Sequence, residues 1–415
     1  MDDPVRDQYE AYPYPARDPR DEARRLITGS PSNLPEINHY LFTGRRDFTR
    51  PFRALVAGGG TGDATVMLAQ QLADAGSASE VVHFDLSTAS RAVAEARIDA
   101  RGLRNVRFVT GEIEALPDLG LGAFDYVDCC GVLHHLEDPA AGLRALAAVL
   151  AEGGGIGLMV YGEYGRSGLY PLQGALRRLG SELPLEQQVG LARRVIEGLP
   201  PTNNFRRNPL LTDHKRSDAE LVDLCLHARD RAYTVPQLLG LIEDAGLETV
   251  SLIEPIRYRP ETYVRDGQVL KRLATCDPAE RAAIAEILAG NMHKHVAYVA
   301  PSAERRIAQV AGPEAVPLLR DVDGGKLAAM LGKDPTLKAE LDGLPMAFPM
   351  PRLAAAILAR VDSTKSLGEI HEALRQLDSS LTWEAFKAQF DQVYSIMNGL
   401  NRLLVHYPDD TSAAP

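Results

Sequence analysis

A glycine-rich loop between an apolar run and a helical segment constrains the fold of this chain more than any other feature. The apolar run at 52–57 leads into Gly58-Gly-Gly60-Thr-Gly62-Asp63, and a helix is predicted over 64–75. Glycines let a chain turn sharply and let its backbone approach a ligand closely, because no Cβ intrudes. A lone glycine loop is a weak signal, but its position after the first strand of a βαβ unit makes it considerably stronger.

Strand-like and helix-like segments alternate after that loop. Further strands are predicted at 80–85, 106–110, 124–130 and 156–161, and further helices at 88–101 and 139–150. The alternation breaks after residue 162 and resumes with a helix at 234–245, a strand at 248–254, a helix at 278–289 and a strand at 294–300. Such alternation implies a parallel sheet with right-handed crossovers. The predicted fold is α/β, a Rossmann-like, seven-stranded, mostly parallel sheet with helical insertions.

Three regions are predicted along the chain. Residues 1–50 form an N-terminal arm or cap, in which Tyr9, Tyr12 and Tyr14 lie among prolines. The arm is either a solvated tail or docked on the body, since three tyrosines carry much apolar area for a tail. Residues 51–301 form the sheet domain, with an insert at 163–232 and a second insertion at 256–291. Residues 302–415 form a mostly helical, winged-helix-like module with helices at 351–360, 367–377 and 383–399 and a strand at 403–407.

Charge and composition exclude several classes of protein. A net charge of −11 argues against a general nucleic-acid binder, which would show a basic footprint. No apolar run reaches the 18 or more residues of a membrane span, and the acidic N-terminus lacks the apolar core of a secretory signal. Four cysteines without a C-x-x-C pair fit a reducing compartment and predict no metal site. We therefore expect a cytoplasmic protein without a membrane or nucleic-acid partner.

The residue at the third position of the glycine fingerprint separates two classes of ligand. A dinucleotide fingerprint, G-x-G-x-x-G, would have its third glycine at position 63, where this chain has Asp63. A carboxylate in the first helical turn would oppose a pyrophosphate, which seeks the positive end of a helix. A ligand without phosphate and with a positively charged amino acid end escapes that repulsion. S-adenosylmethionine is such a ligand.

Further candidate residues follow the next strands. Asp85, at the end of the second strand, can accept both hydroxyls of a ribose, or it caps the helix that follows. After the third strand, Glu112 and Ile113 can meet an adenine amino group and ring nitrogen, although Glu112 also reads as an ordinary loop carboxylate. The fourth strand leads to Gly131 at the edge where open α/β sheets bind ligands. His134 follows it.

Taken in this order, the motifs resemble those of the class I S-adenosylmethionine-dependent methyltransferases. The matching blocks are Gly58-Gly-Gly60-Thr-Gly62, Asp85, Gly111-Glu112-Ile113, Gly131-Val-Leu-His-His-Leu-Glu-Asp-Pro139 and Leu150-Ala-Glu-Gly-Gly-Gly155. The resemblance covers residues 51–162 strongly and 233–300 more loosely. It implies S-adenosylmethionine as cofactor and methyl transfer by in-line displacement at the sulfonium.

The resemblance also assigns roles within the cofactor site. It implies that Gly58, Gly60 and Gly62 flank the methionine part, that Asp85 meets the ribose, that Glu112 and Ile113 meet the adenine, and that Gly131 borders the sulfonium. Leu86, next to Asp85, is a further candidate for cofactor binding. One departure is Val56, which stands where the family often has an acidic residue. The amino end of the cofactor is therefore expected to rely on Asp63 or on an N-terminal tyrosine such as Tyr14.

The insert at 163–232 leaves the fifth strand at the ligand edge, so we expect it to build the acceptor pocket. Its polar and ring-bearing residues are Glu163, Arg166, Tyr170, Asn203, Asn204, Arg206, His214, Arg231 and Tyr233, together with Tyr164, Arg207, Asp213, Arg229 and Asp230. Each of these residues also reads as part of a solvated helical cap.

Three residues near the ends of the fourth and fifth strands are the catalytic candidates: His134, His135 and Tyr161. Either histidine could instead pack or cap locally. A missing base would not count against methyl transfer, because alignment alone contributes roughly 7–11 kcal/mol. The expected acceptor is a small-molecule or peptide nucleophile.

The sequence also leaves two alternative functions open. The arm and the Gly-Val-Leu-His-His block are similar to bacterial methyltransferases with extra helical modules, some of which modify protein lysines. A module that binds an adenosyl ligand without methyl transfer is the other alternative.

Overall fold

The computed structural model describes residues 3–304 and 306–407, which form two compact units. Unit 1 comprises Met1–Asn33, Phe48–Thr249 and Gly290–Ser302, and unit 2 comprises Leu34–Asp47, Val250–Ala289 and Ala303–Pro415. This division differs from the predicted one in two places. Residues 34–47 of the predicted arm belong to unit 2, as do residues 250–289, which include nearly all of the second insertion and most of the strand predicted at 248–254.

The sheet has seven strands in the order β3-β2-β1-β4-β5-β7-β6 within the described residues. Their bounds are β1 (Arg53–Ala57), β2 (Glu80–Asp85), β3 (Val106–Thr110), β4 (Phe124–Cys130), β5 (Leu150–Tyr161), β6 (Glu248–Leu252) and β7 (Lys294–Ala300). The first five strands pair in parallel, and β5 pairs antiparallel with β7. The predicted Rossmann-like, mostly parallel sheet is confirmed.

One strand begins earlier than its apolar run indicates. β5 begins at Leu150, six residues before the predicted start, and its early part pairs with β4 through an irregular register between Phe124 and Tyr126. The three glycines at 153–155 hid this extension, because glycine is uncommon inside strands.

The helices are numbered along the whole chain. Those of unit 1 are α1 (Pro4–Ala11), α3 (Asp63–Asp74), α4 (Thr88–Arg101), α5 (Pro139–Ala148), α6 (Leu169–Gly180), α7 (Leu185–Glu197), α8 (Asn204–Arg207), α9 (Asp218–Leu221) and α10 (Val235–Asp244). Side-chain caps fix where several of them begin: Asp138 accepts from the backbone N–H of Ala141 ahead of α5, and Thr234 forms a capping box with Gln237 ahead of α10. No helix in the described residues combines the length and apolar character of a membrane crossing.

The strand order determines where a ligand can bind. The chain runs outward from β1 to β3 on one side of the sheet and from β4 onward on the other. The loops after β1 and β4 therefore diverge and leave a crevice at the carboxyl edge, the position at which open α/β sheets bind ligands.

Unit 2 is a mixed α/β body. Its helices are α2 (Leu34–Leu41), α11 (Gly267–Leu273), α12 (Pro278–Ala289), α13 (Gly324–Leu331), α14 (Ala354–Leu358), α15 (Leu367–Arg375) and α16 (Trp383–Gly399). Its strands are β8 (Val316–Leu319), β9 (Thr336–Leu341), β10 (Leu344–Pro349) and β11 (Leu403–His406).

The last three helices and β11 lie near their predicted bounds, whereas β8, α13 and the β9–β10 hairpin were missed. The hairpin strands are short, and two prolines interrupt β10, which weakens the alternation that signals a strand. β8 pairs with β11, far along the chain, so its partner is not visible locally. The winged-helix-like description stays a prediction.

The core of unit 2 is centred on aromatic residues of α16. Phe390 is completely buried, and its ring lies 6.3 Å from that of Phe386 and 6.1 Å from that of Tyr394. Such rings bury large apolar areas and prefer these centroid separations.

We predict that Phe390→Ala lowers the free energy of unfolding of unit 2 by about 3–5 kcal/mol, since a large buried ring leaves a cavity. Urea denaturation followed by the fluorescence of Trp383, on the same helix, measures this change. The control is Leu377→Ala: its side chain is 75% exposed, so a change within about 0.5 kcal/mol is expected. Equal midpoints for the two variants would contradict the assignment of Phe390 to the core.

Candidate functional site

A cavity of about 400 Å³ opens at the carboxyl edge of the sheet. The loops after β1, β2 and β4 contribute Gly58, Gly59, Gly60, Asp63, Asp85, Leu86, Gly131 and Val132 to its lining. The N-terminal segment (residues 3–33) contributes Tyr9, Tyr14, Arg17 and residues 27–30 and 32, and the insert contributes Arg216, Glu220 and Arg229. His135 and Tyr161 also line it. The volume is within the range of small-molecule sites, roughly 300–1,000 Å³.

The N-terminal segment packs directly on the glycine loop. Gly60 has a φ of +52°, and a Cβ at this position would lie 2.7 Å from the backbone oxygen of Tyr14. The neighbouring Thr61 donates its backbone N–H to Tyr14 (3.2 Å) and its hydroxyl to the Pro15 carbonyl (2.6 Å). Only glycine permits both this backbone conformation and this close approach.

Asp85 ends β2 with its carboxylate at the cavity. Its two oxygens accept backbone N–H groups from Gly60 and Ser87, both at 2.7 Å. Burial raises the pKa of the Asp85 carboxyl, against the lowering effect of these hydrogen bonds. The alternative that Asp85 caps α4 is wrong, because Ser87 is the N-cap and accepts from Ser90. A carboxylate has about four acceptor positions, so Asp85 retains capacity for a ligand hydroxyl.

Hydrogen bonds and ion pairs dock the N-terminal segment rather than leaving it as a solvated tail. Glu10 accepts the backbone N–H groups of Thr88 and Ala89 at the start of α4, where a carboxylate meets the positive end of the helix. Farther along the segment, Glu22 pairs with Arg97 of α4 at 2.7 Å. Of the two arrangements predicted for the arm, a solvated tail or a docked segment, the structure shows the docked one.

Asp63, the first residue of α3, is held by two arginines. Arg17 of the N-terminal segment lies 2.6 Å from its carboxylate, and Arg97 lies 2.7 Å from it. From the sequence we expected the charge of this carboxylate to repel a pyrophosphate; in the structure the two guanidinium groups compensate that charge. Asp63 lines the cavity and also anchors the N-terminal segment.

Three of the predicted cofactor residues do not line the cavity. Gly62 is the N-cap of α3, and a Cβ there would lie 2.9 Å from the Ala94 side chain, so it serves helix packing. Glu112 points to solvent and pairs with Arg6 at 3.0 Å. Ile113 is buried at the start of a short 3₁₀ helix. The other seven, Gly58, Gly60, Asp63, Asp85, Leu86, Gly131 and Tyr14, lie together around the cavity.

The two histidines after β4 differ in position. His134 is buried beneath the cavity lining, with its ring 4.0 Å from that of Tyr161. His135 lines the cavity, but its Nδ1 is bonded to the Arg229 carbonyl at 2.8 Å, and burial lowers its pKa to about 4. A neutral imidazole at this pKa is a weak base, so His135 is poorly suited to the catalytic role predicted for it.

None of the nine acceptor residues predicted from the insert is among the lining residues; Arg166 and Tyr233 lie behind the lining, against Tyr161. Asn203 caps α8, Arg206 donates to the Leu199 carbonyl, and the guanidinium of Arg231 lies over the ring of Tyr233. The remaining five take part in packing and polar contacts of the cap: Glu163, Arg166, Tyr170, Asn204 and His214. The sequence does not indicate which of these side chains face the cavity, because the helices of the insert carry polar residues on every face.

The lining residues that the insert does provide are Arg216, Glu220 and Arg229. Arg229 belonged to the predicted polar group, whereas Arg216 and Glu220 were missed. Asp128 also lines the cavity and was missed, although the sequence indicates it: it is a charged residue inside the apolar strand β4. Buried charges require partners, and Asp128 accepts from the Ser32 hydroxyl at 2.7 Å.

A buried polar network lies behind the tyrosines of the cavity. Asp223 accepts from the hydroxyls of Tyr9 and Tyr161, both at 3.2 Å, and Tyr9 is also 3.0 Å from Nε2 of His227. Burial raises the pKa of Asp223 to about 7. Val222–Leu226 forms a π-helical turn that carries Asp223, a distortion found frequently at functional sites.

Two triplets in this region have the composition of metal-ligand sets. The ligand atoms of His135, Asp223 and His227 lie within 4.8 Å of one another, as do those of His134, His135 and Asp230. The Tyr9 hydroxyl already bonds two members of the first set, and Asp230 of the second set is paired with the guanidinium of Arg166 at 3.3 Å. The expectation of no metal stays a prediction.

A known protein family matches part of this site, and a known relative matches most of the chain. A family described as a methyltransferase domain matches residues 55–156, which contain the glycine loop, Asp85 and Gly131. An uncharacterized protein of Synechococcus sp. is 30% identical over 292 residues, which cover 68% of this chain and 67% of that protein.

Solved structures share the fold. PKMT2 from Rickettsia typhi superposes with a TM-score of 0.64 at 16% identity, covering 92% of this chain and 76% of that one. The same protein in complex with AdoHcy gives a TM-score of 0.63 at 15% identity, covering 93% and 77%. The family match over residues 55–156, the relative of 30% identity and the glycine-loop site together identify the chain: it belongs to the class I S-adenosylmethionine-dependent methyltransferases, with S-adenosylmethionine as its cofactor.

Proposed function

We propose that the cavity binds S-adenosylmethionine next to a nucleophile that enters from the insert side. The observation that carries this proposal is that one cavity of about 400 Å³ is lined both by the glycine loop with Asp85 and by residues of the N-terminal segment and the insert. Gly58 and Gly60 would flank the methionine part, Asp85 and Leu86 would meet the ribose, and Gly131 would border the sulfonium.

One of the proposed cofactor contacts carries a condition, and another comes from the N-terminal segment. Glu112 is ion-paired with Arg6, so a contact with adenine requires that this pair open. Tyr14 faces the cavity beside Gly60 and is the proposed neighbour of the amino end.

Methyl transfer requires little from the protein beyond aligning the nucleophile with the methyl group and excluding water from the cavity. The cofactor supplies a methyl group that is already activated on a sulfonium. The N-terminal segment covers the carboxyl edge of the sheet, which a parallel sheet alone would leave open to water. Alignment of the nucleophile for in-line displacement contributes roughly 7–11 kcal/mol.

The proposed acceptor is a small-molecule or peptide nucleophile. A protein lysine is the second candidate, and one observation favours it: the rings of Tyr9 and Tyr161 and the carboxylate of Glu220 line the same cavity. Aromatic faces and carboxylates attract a protonated amine.

The four free cysteines fit a reducing compartment, so we also propose that the protein is cytoplasmic.

We expect methyl transfer to a component of a cell extract when the purified protein is incubated with methyl-labelled S-adenosylmethionine. Mass spectrometry of the labelled product separates the candidates, because a small molecule, a peptide and a methylated lysine differ in mass. Heat-inactivated protein is the control. Tight binding of the cofactor without any labelled product in a range of extracts would favour a binding module over an enzyme.

Asp85→Asn should weaken the binding of S-adenosylhomocysteine by about 10- to 100-fold, because hydrogen bonds to a charged group contribute roughly 1.5–3 kcal/mol. Isothermal titration calorimetry measures the affinity. Asp99→Asn is the matched control: the side chain of Asp99 is 79% exposed on α4, and its removal should leave the affinity unchanged. Equal affinities for the two variants would contradict the ribose assignment.

Removal of residues 1–20 should weaken S-adenosylhomocysteine binding by 10-fold or more, because Tyr14 and the cover over the glycine loop are lost. Glu10→Gln should give a smaller loss, since it weakens only the docking on α4. Circular dichroism checks that the sheet-bearing unit remains folded. If the shortened chain binds as tightly as the full chain, the N-terminal segment has no part in the site.

A further inference from the structure

Tyr9 connects the cavity to a carboxyl group behind it. Tyr9 and Tyr161 line the cavity, whereas Asp223 is 3% exposed and lies behind them. One oxygen of Asp223 accepts from Tyr9 and the other accepts from Tyr161, both at 3.2 Å. A proton at the cavity surface can therefore reach Asp223 through one hydroxyl group.

The hydrogen bonds around His227 determine the direction in which Tyr9 donates. The backbone N–H of Arg229 donates to Nδ1 of His227 at 3.0 Å, and burial holds the pKa of His227 well below its usual range. The neutral ring therefore carries its hydrogen on Nε2, which lies 3.0 Å from the Tyr9 hydroxyl. Because Tyr9 accepts from His227, its own hydrogen is directed to Asp223.

We propose that Tyr9 is a catalytic residue that takes the proton of the methyl acceptor and passes its own hydroxyl proton to Asp223. The inference rests on the proposed function. As the nucleophile attacks, its lone pair forms the bond to the methyl carbon and the C–S bond breaks with its electrons left on sulfur. The acceptor hydrogen moves to Oη of Tyr9, the Tyr9 hydrogen moves to Asp223, and the carboxylate becomes a carboxylic acid.

Two features of the network suit this transfer. His227 donates to Tyr9 and so stabilises the negative charge that develops on the phenolic oxygen. Burial and the neighbouring charge of Asp230 raise the pKa of Asp223 to about 7, against the lowering effect of Arg166. A carboxyl group with this pKa is partly ionised at neutral pH and can both accept and hold a proton.

Tyr9 by itself cannot hold the acceptor proton as Asp223 can. Its pKa is raised well above the ordinary value, chiefly by burial and secondarily by Asp223, so Tyr9 cannot act as a free phenolate base. Transfer through Tyr9 to Asp223 avoids that state. Asp223 is thus the positioning residue and proton store, and Tyr9 is the group that contacts the acceptor.

The pH dependence follows from the state of Asp223. The ionisable groups that face it are Tyr9, Tyr14, Tyr161, His135, Arg166, His227 and Asp230. The tyrosines stay protonated and the two histidines stay neutral near pH 7, because burial moves their pKa values away from neutrality. The base form of Asp223 is therefore lost as the pH falls through about 7.

The first experiment measures the carboxyl group directly, on the full chain saturated with S-adenosylhomocysteine. Infrared spectroscopy between pH 5 and 9 should show a carboxylic acid band with a midpoint near 7 that is absent in Asp223→Asn. Tyr9→Phe should raise this midpoint, since a hydrogen bond to the carboxylate is lost. Tyr12→Phe is the matched control on the same segment, where Tyr12 packs against the insert, and should leave the midpoint unchanged.

Two infrared results would overturn the proposal. One is a midpoint near the ordinary pKa of an aspartate, and the other is an equal response of Tyr9→Phe and Tyr12→Phe. Elemental analysis provides a third: a stoichiometric metal ion that is lost in Asp223→Asn would make the cluster a metal site rather than a proton path.

The second experiment measures turnover with methyl-labelled S-adenosylmethionine and a fixed cell extract. Tyr9→Phe should lower the rate by about 100-fold or more, the scale of general-base catalysis, while S-adenosylhomocysteine affinity stays within about 3-fold. The wild-type rate should fall as the pH drops through about 7, and Asp223→Asn should lack that dependence. A Tyr9→Phe rate within 3-fold of wild type would overturn the relay.

Failure of the proposed function gives a different result. A wild-type protein that does not bind S-adenosylhomocysteine would refute the cofactor site. One that binds it but labels nothing in the extract would count against the acceptor proposal, and the infrared midpoints then decide the relay by themselves.

Discussion

The buried guanidinium of Arg97 connects the parts of the molecule on which the cavity depends. Its side chain is 1% exposed and donates to Glu22 of the N-terminal segment, to Asp63 at the start of α3 and to the carbonyl of Thr61 in the glycine loop. A buried charge that loses one partner costs several kcal/mol, so these groups hold one another in place. Asp63 in turn holds Arg17, which fastens the segment on the other side of the loop. Arg97 and the carboxylates of Glu22 and Asp63 thus hold the glycine loop and the N-terminal segment together at the wall of the cavity.

The sheet and the N-terminal segment have separate tasks. The strand order opens a crevice between the loops after β1 and β4, where backbone N–H groups and Asp85 face a ligand. The crevice alone is open to solvent. The segment covers it, because Tyr14 packs against Gly60 and Glu10 binds the start of α4. A family of folds that binds one cofactor in a similar crevice can change its acceptor by changing only such covers.

The two ends of the cavity are built differently. The cofactor end consists mainly of glycines, backbone groups and the carboxylates of Asp63 and Asp85, all within the first 131 residues of the chain. The opposite end consists of side chains from segments far apart: Tyr9, Tyr161 and, behind them, Asp223. The π-helical turn at Val222–Leu226 follows the short helix α9 and carries Asp223, which is buried in the protein interior. The polar network of that end is buried, so it depends on complete hydrogen bonding.

Local pattern was sufficient for the sheet and for most of the cofactor end. The apolar runs, the helix caps and the glycine loop act over a few neighbouring residues, so the sequence by itself determined the seven strands, the βα order, and the positions of Gly60, Asp85 and Gly131. The contact between Tyr9 and Asp223 spans 214 residues and has no local pattern. Which residues of the polar insert face the cavity, and which unit residues 34–47 join, likewise follow from packing between distant segments. Only the tertiary structure decided these features, because they arise from the burial of polar groups whose partners come from elsewhere in the chain.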